Sequence, residues 1–365
     1  MLAIDALRGF DMFWIIGGEG LVFALRAAFP GKLTTLLATQ MEHVAWEGLR
    51  FYDLIFPLFV FIVGVALVFS LGRILESHGR AAAFKRVLVR SLVLYILGVA
   101  YYGGLAKTVG DIRLLGVLQR IALCYLFAGL LFLLLRREKW TRTALALGIA
   151  LAVLLVAYWA LMTFVRVPVW GAGDYAEGHN LANYLDSRYL PLFKWDGDHD
   201  PEGLLSTLPA IGTCLLGVLT GLLLRSQDMA AQRKVLWLAG AGLVSLALGY
   251  LWGLQFPVIK KIWTSSYVLA AGGWSALLLA LFYQVIEIWH WRGWAMPFVW
   301  IGANAIMLYL LFSIVDFSDL ARRFLGGPVS LLFGRYADLL VAAGVVALVL
   351  LLAGFLYRRR VFIRI

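Results

Sequence analysis

Apolar and polar positions along this chain do not alternate with a short period. They fall in long blocks separated by short polar stretches. An apolar block of about 18 residues or more, rising ~1.5 Å per residue, is long enough to cross a bilayer as a helix. Ten such blocks can be drawn: Leu2–Ala27, Arg50–Leu71, Val87–Leu105, Leu114–Leu135, Thr143–Val165, Leu204–Leu224, Val235–Leu254, Trp263–Ile286, Pro297–Val315 and Leu339–Leu356. The pattern predicts an all-α polytopic integral membrane protein of about ten transmembrane helices. It reads as a single transmembrane domain over residues 1–365. The first block is studded with polar residues and has no small-residue cleavage pattern, so a retained helix is expected there.

Composition agrees with the blocks. Hydrophobic residues make up 62% and charged residues 15% of the chain, against about 25% charged in a soluble domain. The net charge of +11 follows topology. Arg73, Arg80, Lys85, Arg86 and Arg90 follow the second block, Arg136, Arg137, Lys139 and Arg142 the fourth, and Arg225, Arg233 and Lys234 the sixth. Arg358, Arg359, Arg360 and Arg364 close the chain. Positive residues mark cytoplasmic loops, so an even number of spans puts both termini in the cytoplasm. Arg322, Arg323 and Arg335 run against this bias. The long loop from Arg166 to Gly203 falls on the outer side and is acidic. No basic stripe with interleaved aromatics is present, so no nucleic-acid partner is expected. Cys124 and Cys214 lie in predicted helices and read as buried thiols.

Inside or at the rims of the blocks stand Asp5, Arg8, Asp11, Glu19, His43, Glu47, Arg50, Asp53, Arg113, Gln119, Arg120, Lys260, Lys261, Asn304 and Asp316. A charge at the bilayer centre costs from ~3 to over 10 kcal/mol and so faces a bundle interior or a wet cavity. Ion pairs that pin helices explain some of these; the whole set points to a site. Helical spacing places Asp5, Arg8, Met12, Ile15 and Glu19 on one face. Gly17, Gly18 and Gly20 around Glu19 fit helix packing and close ligand approach equally. If the second helix begins near His43, then His43, Glu47, Arg50 and Leu54 form a stripe. Asp53 would lie about three turns deeper, serving fold and cavity electrostatics. The spacing alone leaves His43 open between a structural hydrogen-bond donor and a catalyst.

Other chemistry is poorly supported. Asp196, Asp198 and Asp200 have calcium-loop spacing, but Pro201 and Thr207 stand where an EF-hand needs Gly and Glu. The five histidines give no His-x-x-x-His pair. No metal is expected. There is no Walker motif or Gly-x-Ser-x-Gly elbow.

The stretches LAIDALRGFDMFWII, HVAWEGLRFYDLIFPLFVFIVG, RLLGVLQRIALCY, DPEGLLSTLPAIGTCLLGVLTG, IWTSSYVL and GANAIMLYL, in this order, resemble the heparan-α-glucosaminide N-acetyltransferase family. The most specific parts are the His–Trp–Gly–Leu–Asp–Phe–Pro–Phe series from His43 to Phe59 and Asp200-Pro201-Glu202-Gly203. The resemblance implies transfer of an acetyl group from cytosolic acetyl-CoA to the amine of an amino sugar on the far side of the membrane. The family's catalytic histidine falls on His43. An asparagine of the family's first helix falls on Glu19, a departure that suits a base, a counter-ion to a cationic amine, or a different acceptor. The chain starts at its first helix without the family's lumenal extension, so the bacterial type and a cytoplasmic (inner) membrane are expected.

The residues fit that chemistry. Acyl transfer to an amine needs a base and a donor for the oxyanion. His43 and Glu19 suit the first role, and Arg113, Gln119, Arg120 or Asn304 the second. Arg8, Arg86 and Arg90 suit the CoA phosphates at the cytoplasmic end. Glu47, Asp200 and Glu202 suit a cationic acceptor, with Trp46 and Tyr267 beside them. Trp170, Trp195 and Trp263 also lie towards the outer face, where tryptophan is common in any membrane protein. The expected partners are acetyl-CoA, an amino-sugar-type acceptor and the lipid bilayer, with a homodimer left open. A transporter of amino sugars would explain the buried charges as well, but not the match around His43.

Overall fold

The computed structural model describes residues 1–362, so Arg364 of the basic tail lies outside the described residues. Among these residues the structure is helical, with isolated bridges and no strand. The helices are α1 (Leu2–Phe13), α2 (Glu19–Ala28), α3 (Lys32–Gln40), α4 (Ile55–Tyr101), α5 (Val117–Leu135), α6 (Trp140–Phe164), α7 (Leu181–Tyr189), α8 (Thr207–Arg225), α9 (Ala231–Gly253), α10 (Ser265–Tyr283), α11 (Met296–Ala303), α12 (Ala305–Ile314), α13 (Phe317–Leu325), α14 (Pro328–Phe333) and α15 (Ala337–Arg358).

Among the described residues, seven helical stretches are long and apolar enough to cross a membrane, or eight if α11 and α12, bent by 65° at Asn304, form one span. The difference from ten has identifiable causes. Two expected spans fall in the single helix α4. Its 47 residues would reach about 70 Å, over twice the ~30 Å hydrocarbon core. The helical dihedrals break at Gly79, with φ 79° and ψ −175°. The first expected span is split by a π turn over Trp14–Gly18. That extra residue per turn ends the single stripe expected from Asp5 to Glu19, and such bulges recur at functional sites.

The outward faces carry the membrane signature. Leu145, Ile149, Val153 and Val156 of α6 are all at least half exposed. They recur every three or four residues, forming one apolar stripe. Such a stripe on a long apolar helix is what a lipid-facing surface carries. The chain is an integral membrane protein.

Contacts divide the chain into two compact units. The first comprises Met1–Val44, Arg50–Ile55 and the segment from Leu281 on. Here α1 packs on α11 at glycine contacts: a Cβ on Gly9 would strike the Phe298 carbonyl, and one on Gly302 the Asp5 carbonyl. Small residues let helix backbones approach where lipid gives no hydrophobic drive to associate. The second unit comprises Ala45–Leu49 and Phe56–Ala280. Its α8 packs on α5 and α6, and Gly64 of α4 meets Gly217 of α8 at backbone contact. Tyr158 and Met162 of α6, Val167, Leu181 of α7, Phe256, Ile259 and Ile262 form an apolar cluster that anchors the loop before α7 to the segment before α10.

Candidate active site

His43 does not start a helix. Residues 42–50 are irregular, and helical structure begins with the 3₁₀ turn Phe51–Leu54. The stripe expected through Glu47, Arg50 and Leu54 therefore does not form. Gly48 takes φ 121°, a conformation that glycine adopts without strain, and the chain folds back. Asp53 is consequently not three turns away. Its Oδ1 lies 2.7 Å from His43 Nδ1. Its Oδ2 accepts from the backbone N–H of Val44 at 3.3 Å and of Arg50 at 3.1 Å. The Arg50 bond caps the start of the 3₁₀ turn.

The two partners differ in exposure. Asp53 is fully buried, while the His43 side chain is 54% exposed. A buried carboxylate accepting a hydrogen bond from Nδ1–H fixes the imidazole tautomer and leaves the basic lone pair on Nε2. It also stabilises the imidazolium once that nitrogen takes up a proton.

Tyr52 joins Glu19 to this pair. Its hydroxyl donates to Glu19 Oε2 at 2.6 Å, and its ring lies 5.0 Å from the His43 ring. Glu19 is the first residue of α2, directly after the π turn. Phe51 meets the Trp14 ring edge-on at 5.2 Å, which holds the histidine loop against that turn. Arg50 reaches Glu42 at 3.3 Å. His43, Asp53, Tyr52 and Glu19 thus form one constellation within the first unit. Tyr52 carried no spacing signal, because its partner is 33 positions away.

The remaining expected residues are placed as follows. In the first unit, Arg8 Nη1 donates to the Gly302 carbonyl at 3.2 Å and pairs with Asp5 at 3.3 Å. Asn304, at the bend between α11 and α12, donates to the Val361 carbonyl at 3.0 Å. In the second unit, Arg113 binds Asp200 in bidentate fashion at 2.9 and 2.7 Å and Glu202 at 2.6 Å. Burial works to lower the Arg113 pKa, but the Asp200 hydrogen bond and both carboxylate charges outweigh it and hold it above its ordinary value. Gln119 donates to the Arg113 carbonyl at 3.2 Å. Arg120 donates to Ser206 at 2.5 Å and stacks on Trp263 at 4.9 Å. Arg113, Asp200 and Glu202, expected to serve two different ligands, bind one another here.

Trp46 donates its indole N–H to the Tyr175 carbonyl at 3.0 Å. Glu47 bridges Ile259 through its backbone and keeps its side chain exposed. Tyr267 is fully buried beside Trp263. Arg86 and Arg90 are half-buried one turn apart on α4, with Arg90 over the Tyr125 ring at 4.6 Å.

An exposed histidine held from behind by a buried carboxylate is an arrangement that suits proton transfer. No family model matches the chain. It is 28% identical over 321 residues to human heparan-alpha-glucosaminide N-acetyltransferase, covering 74% of this chain and 48% of that protein. To the mouse protein of the same name it is 26% identical over 326 residues, covering 75% and 49%. The chain spans about half the length of the curated relatives it matches. It is a relative of heparan-alpha-glucosaminide N-acetyltransferase.

Proposed function

We propose that this chain is an acetyl-CoA-dependent N-acetyltransferase of a bacterial cytoplasmic membrane. It carries acetyl from cytosolic acetyl-CoA to an amino-sugar-type amine outside. The observation that carries this reading is the His43–Asp53 pair at 2.7 Å in a chain related to proteins named as N-acetyltransferases. Ten spans and cytoplasmic termini follow if α4 crosses twice about Gly79, α1 and α2 cross as one broken helix, and α11 and α12 as another.

In the proposed reaction His43 Nε2 takes a proton from the acceptor amine as its nitrogen attacks the acetyl carbonyl. The new N–C bond forms, the C–S bond breaks, and the proton passes to the leaving thiolate to give free CoA. Asp53 holds the ring and stabilises the imidazolium. Glu19, held by Tyr52, is a carboxylate suited to an ammonium group on the incoming acceptor. Arg8, Arg86 and Arg90 are the candidates for the CoA phosphates.

The test uses purified full-length protein, labelled acetyl-CoA and a panel of amino sugars, with the product identified directly. Wild type is expected to transfer label. His43→Ala is expected to lose ~10²–10⁴ in rate, the usual contribution of a positioned base, while still binding acetyl-CoA. Uptake of amino sugars without CoA dependence would overturn the reading in favour of a transporter.

A further inference from the structure

The loop before α7, the Asp196–His199 turn and the segment before α10 meet within the second unit and bring together Glu177, Asp196, His199 and Lys261. We infer that Glu177, Asp196 and His199 form a binding site for a divalent transition-metal ion of the Zn²⁺ type, for which Lys261 competes as a built-in cation.

Four observations carry this. One ligand atom from each of the three residues falls within 4.8 Å of the others. His199 Nε2 stands 3.6 Å from Glu177 Oε1 and 3.9 Å from Asp196 Oδ2. Ligand atoms about 2.0–2.2 Å from a tetrahedral Zn²⁺ stand roughly 3.3–3.6 Å apart, so the two His199 distances are already close to those of a closed site. The His199 side chain is only 7% exposed, and its Nε2 has no hydrogen-bond partner among the described residues. A buried, unsatisfied imidazole nitrogen is costly unless something binds it. Finally, His199 Nδ1 is held by Asp198 Oδ1 at 2.6 Å. Metal-ligating histidines are oriented in this way, by a carboxylate on the other ring nitrogen.

Lys261 Nζ lies 2.6 Å from Glu177 Oε1 and 3.0 Å from Asp196 Oδ2. It neutralises the two carboxylates but forms no hydrogen bond to His199 Nε2. A divalent ion neutralises them and ligates that nitrogen, with twice the charge. Lys261 is 32% exposed, and its ammonium is 6.0 Å from the Trp46 ring, so a displaced side chain has both water and an aromatic face to receive it. The mixed nitrogen and oxygen donors favour Zn²⁺ or a neighbouring ion over Ca²⁺ or Mg²⁺. Bound metal would tie three loop segments of the outer surface together, independently of acyl transfer.

The experiment titrates EDTA-stripped full-length protein in detergent with Zn²⁺, and separately with Ca²⁺, by calorimetry. One Zn²⁺ per chain is expected, with weaker Ca²⁺ binding. His199→Ala should abolish binding. Asp198→Asn should weaken it about 10–100-fold, as loss of such an orienting partner does. Lys261→Met should tighten it, and this variant keeps all three ligands. Circular dichroism and gel filtration confirm folding of each variant. Failure of both wild type and Lys261→Met to bind Zn²⁺ would overturn the inference. So would equal Zn²⁺ binding by wild type and a folded His199→Ala protein.

Discussion

His43 is exposed, yet its orienting partner Asp53 is buried. This inequality suits a base that must meet a substrate while its tautomer is fixed from behind. Asp53→Asn would offer an amide in place of the carboxylate and remove the charge that supports the imidazolium. Turnover is expected to fall within the ~10²–10⁴ range of general-base catalysis; single-turnover transfer with acetyl-CoA in excess measures it. Tyr52→Phe removes one hydrogen bond to a carboxylate, worth about 1.5–3 kcal/mol. It should lower acceptor kcat/KM roughly ten- to a hundredfold with the KM for acetyl-CoA unchanged. A rise in the acetyl-CoA KM alone would place Tyr52 elsewhere in the reaction.

At the scale of elements, glycine contacts fix where α1 runs, and α1 leads through the π turn to Glu19. Gly9→Ala would push the Phe298 carbonyl away and should destabilise by about 1–3 kcal/mol, the usual cost of overpacking. Gly20, which has no atom within 4 Å of its would-be Cβ, is the control: Gly20→Ala should unfold at or above the wild-type temperature in detergent. A second element-level device is Asp186 of α7, whose carboxylate accepts from the Leu204 N–H at 2.8 Å and the Asp200 N–H at 3.5 Å. Burial pushes its pKa up to about 6, against the pull of those hydrogen bonds. The folded state therefore holds this proton more tightly than the unfolded chain. The stability linked to it is full below the ordinary carboxylate pKa and is lost as pH rises through about 6. Acidification from neutral pH should thus raise the unfolding temperature of wild type relative to Asp186→Asn. Parallel pH dependence in both proteins would remove Asp186 as the source.

For the whole molecule the proposed topology makes a direct prediction. Single cysteines replacing Ser77 and Ala176 should label from opposite sides of the membrane with an impermeant thiol reagent. The native Cys124 and Cys214 are fully buried and should contribute little background. Labelling of both sites from one side would remove the transmembrane direction of transfer.

The sequence by itself determined the membrane class and the approximate place of the long apolar helices, though not of the short helices α3, α7, α13 and α14. A bilayer leaves the backbone no partner within reach but other backbone, and a continuous apolar block of about 20 residues matches a spanning helix rather than a barrel strand. It also marked His43 and Glu19, since ionisable groups stand out against hydrocarbon. It could not determine how they connect. Helical periodicity over residues 43–54 puts Asp53 far from His43, whereas the backbone turns back there and brings the two side chains to 2.7 Å. The same limit hid the mutual pairing of Arg113 with Asp200 and Glu202, 87 and 89 positions away, and the placing of Lys261 beside Glu177. Local pattern reports which face a residue takes on a regular element. Which charge neutralises which is decided by distances of a few ångströms between distant segments, and only the tertiary structure sets those.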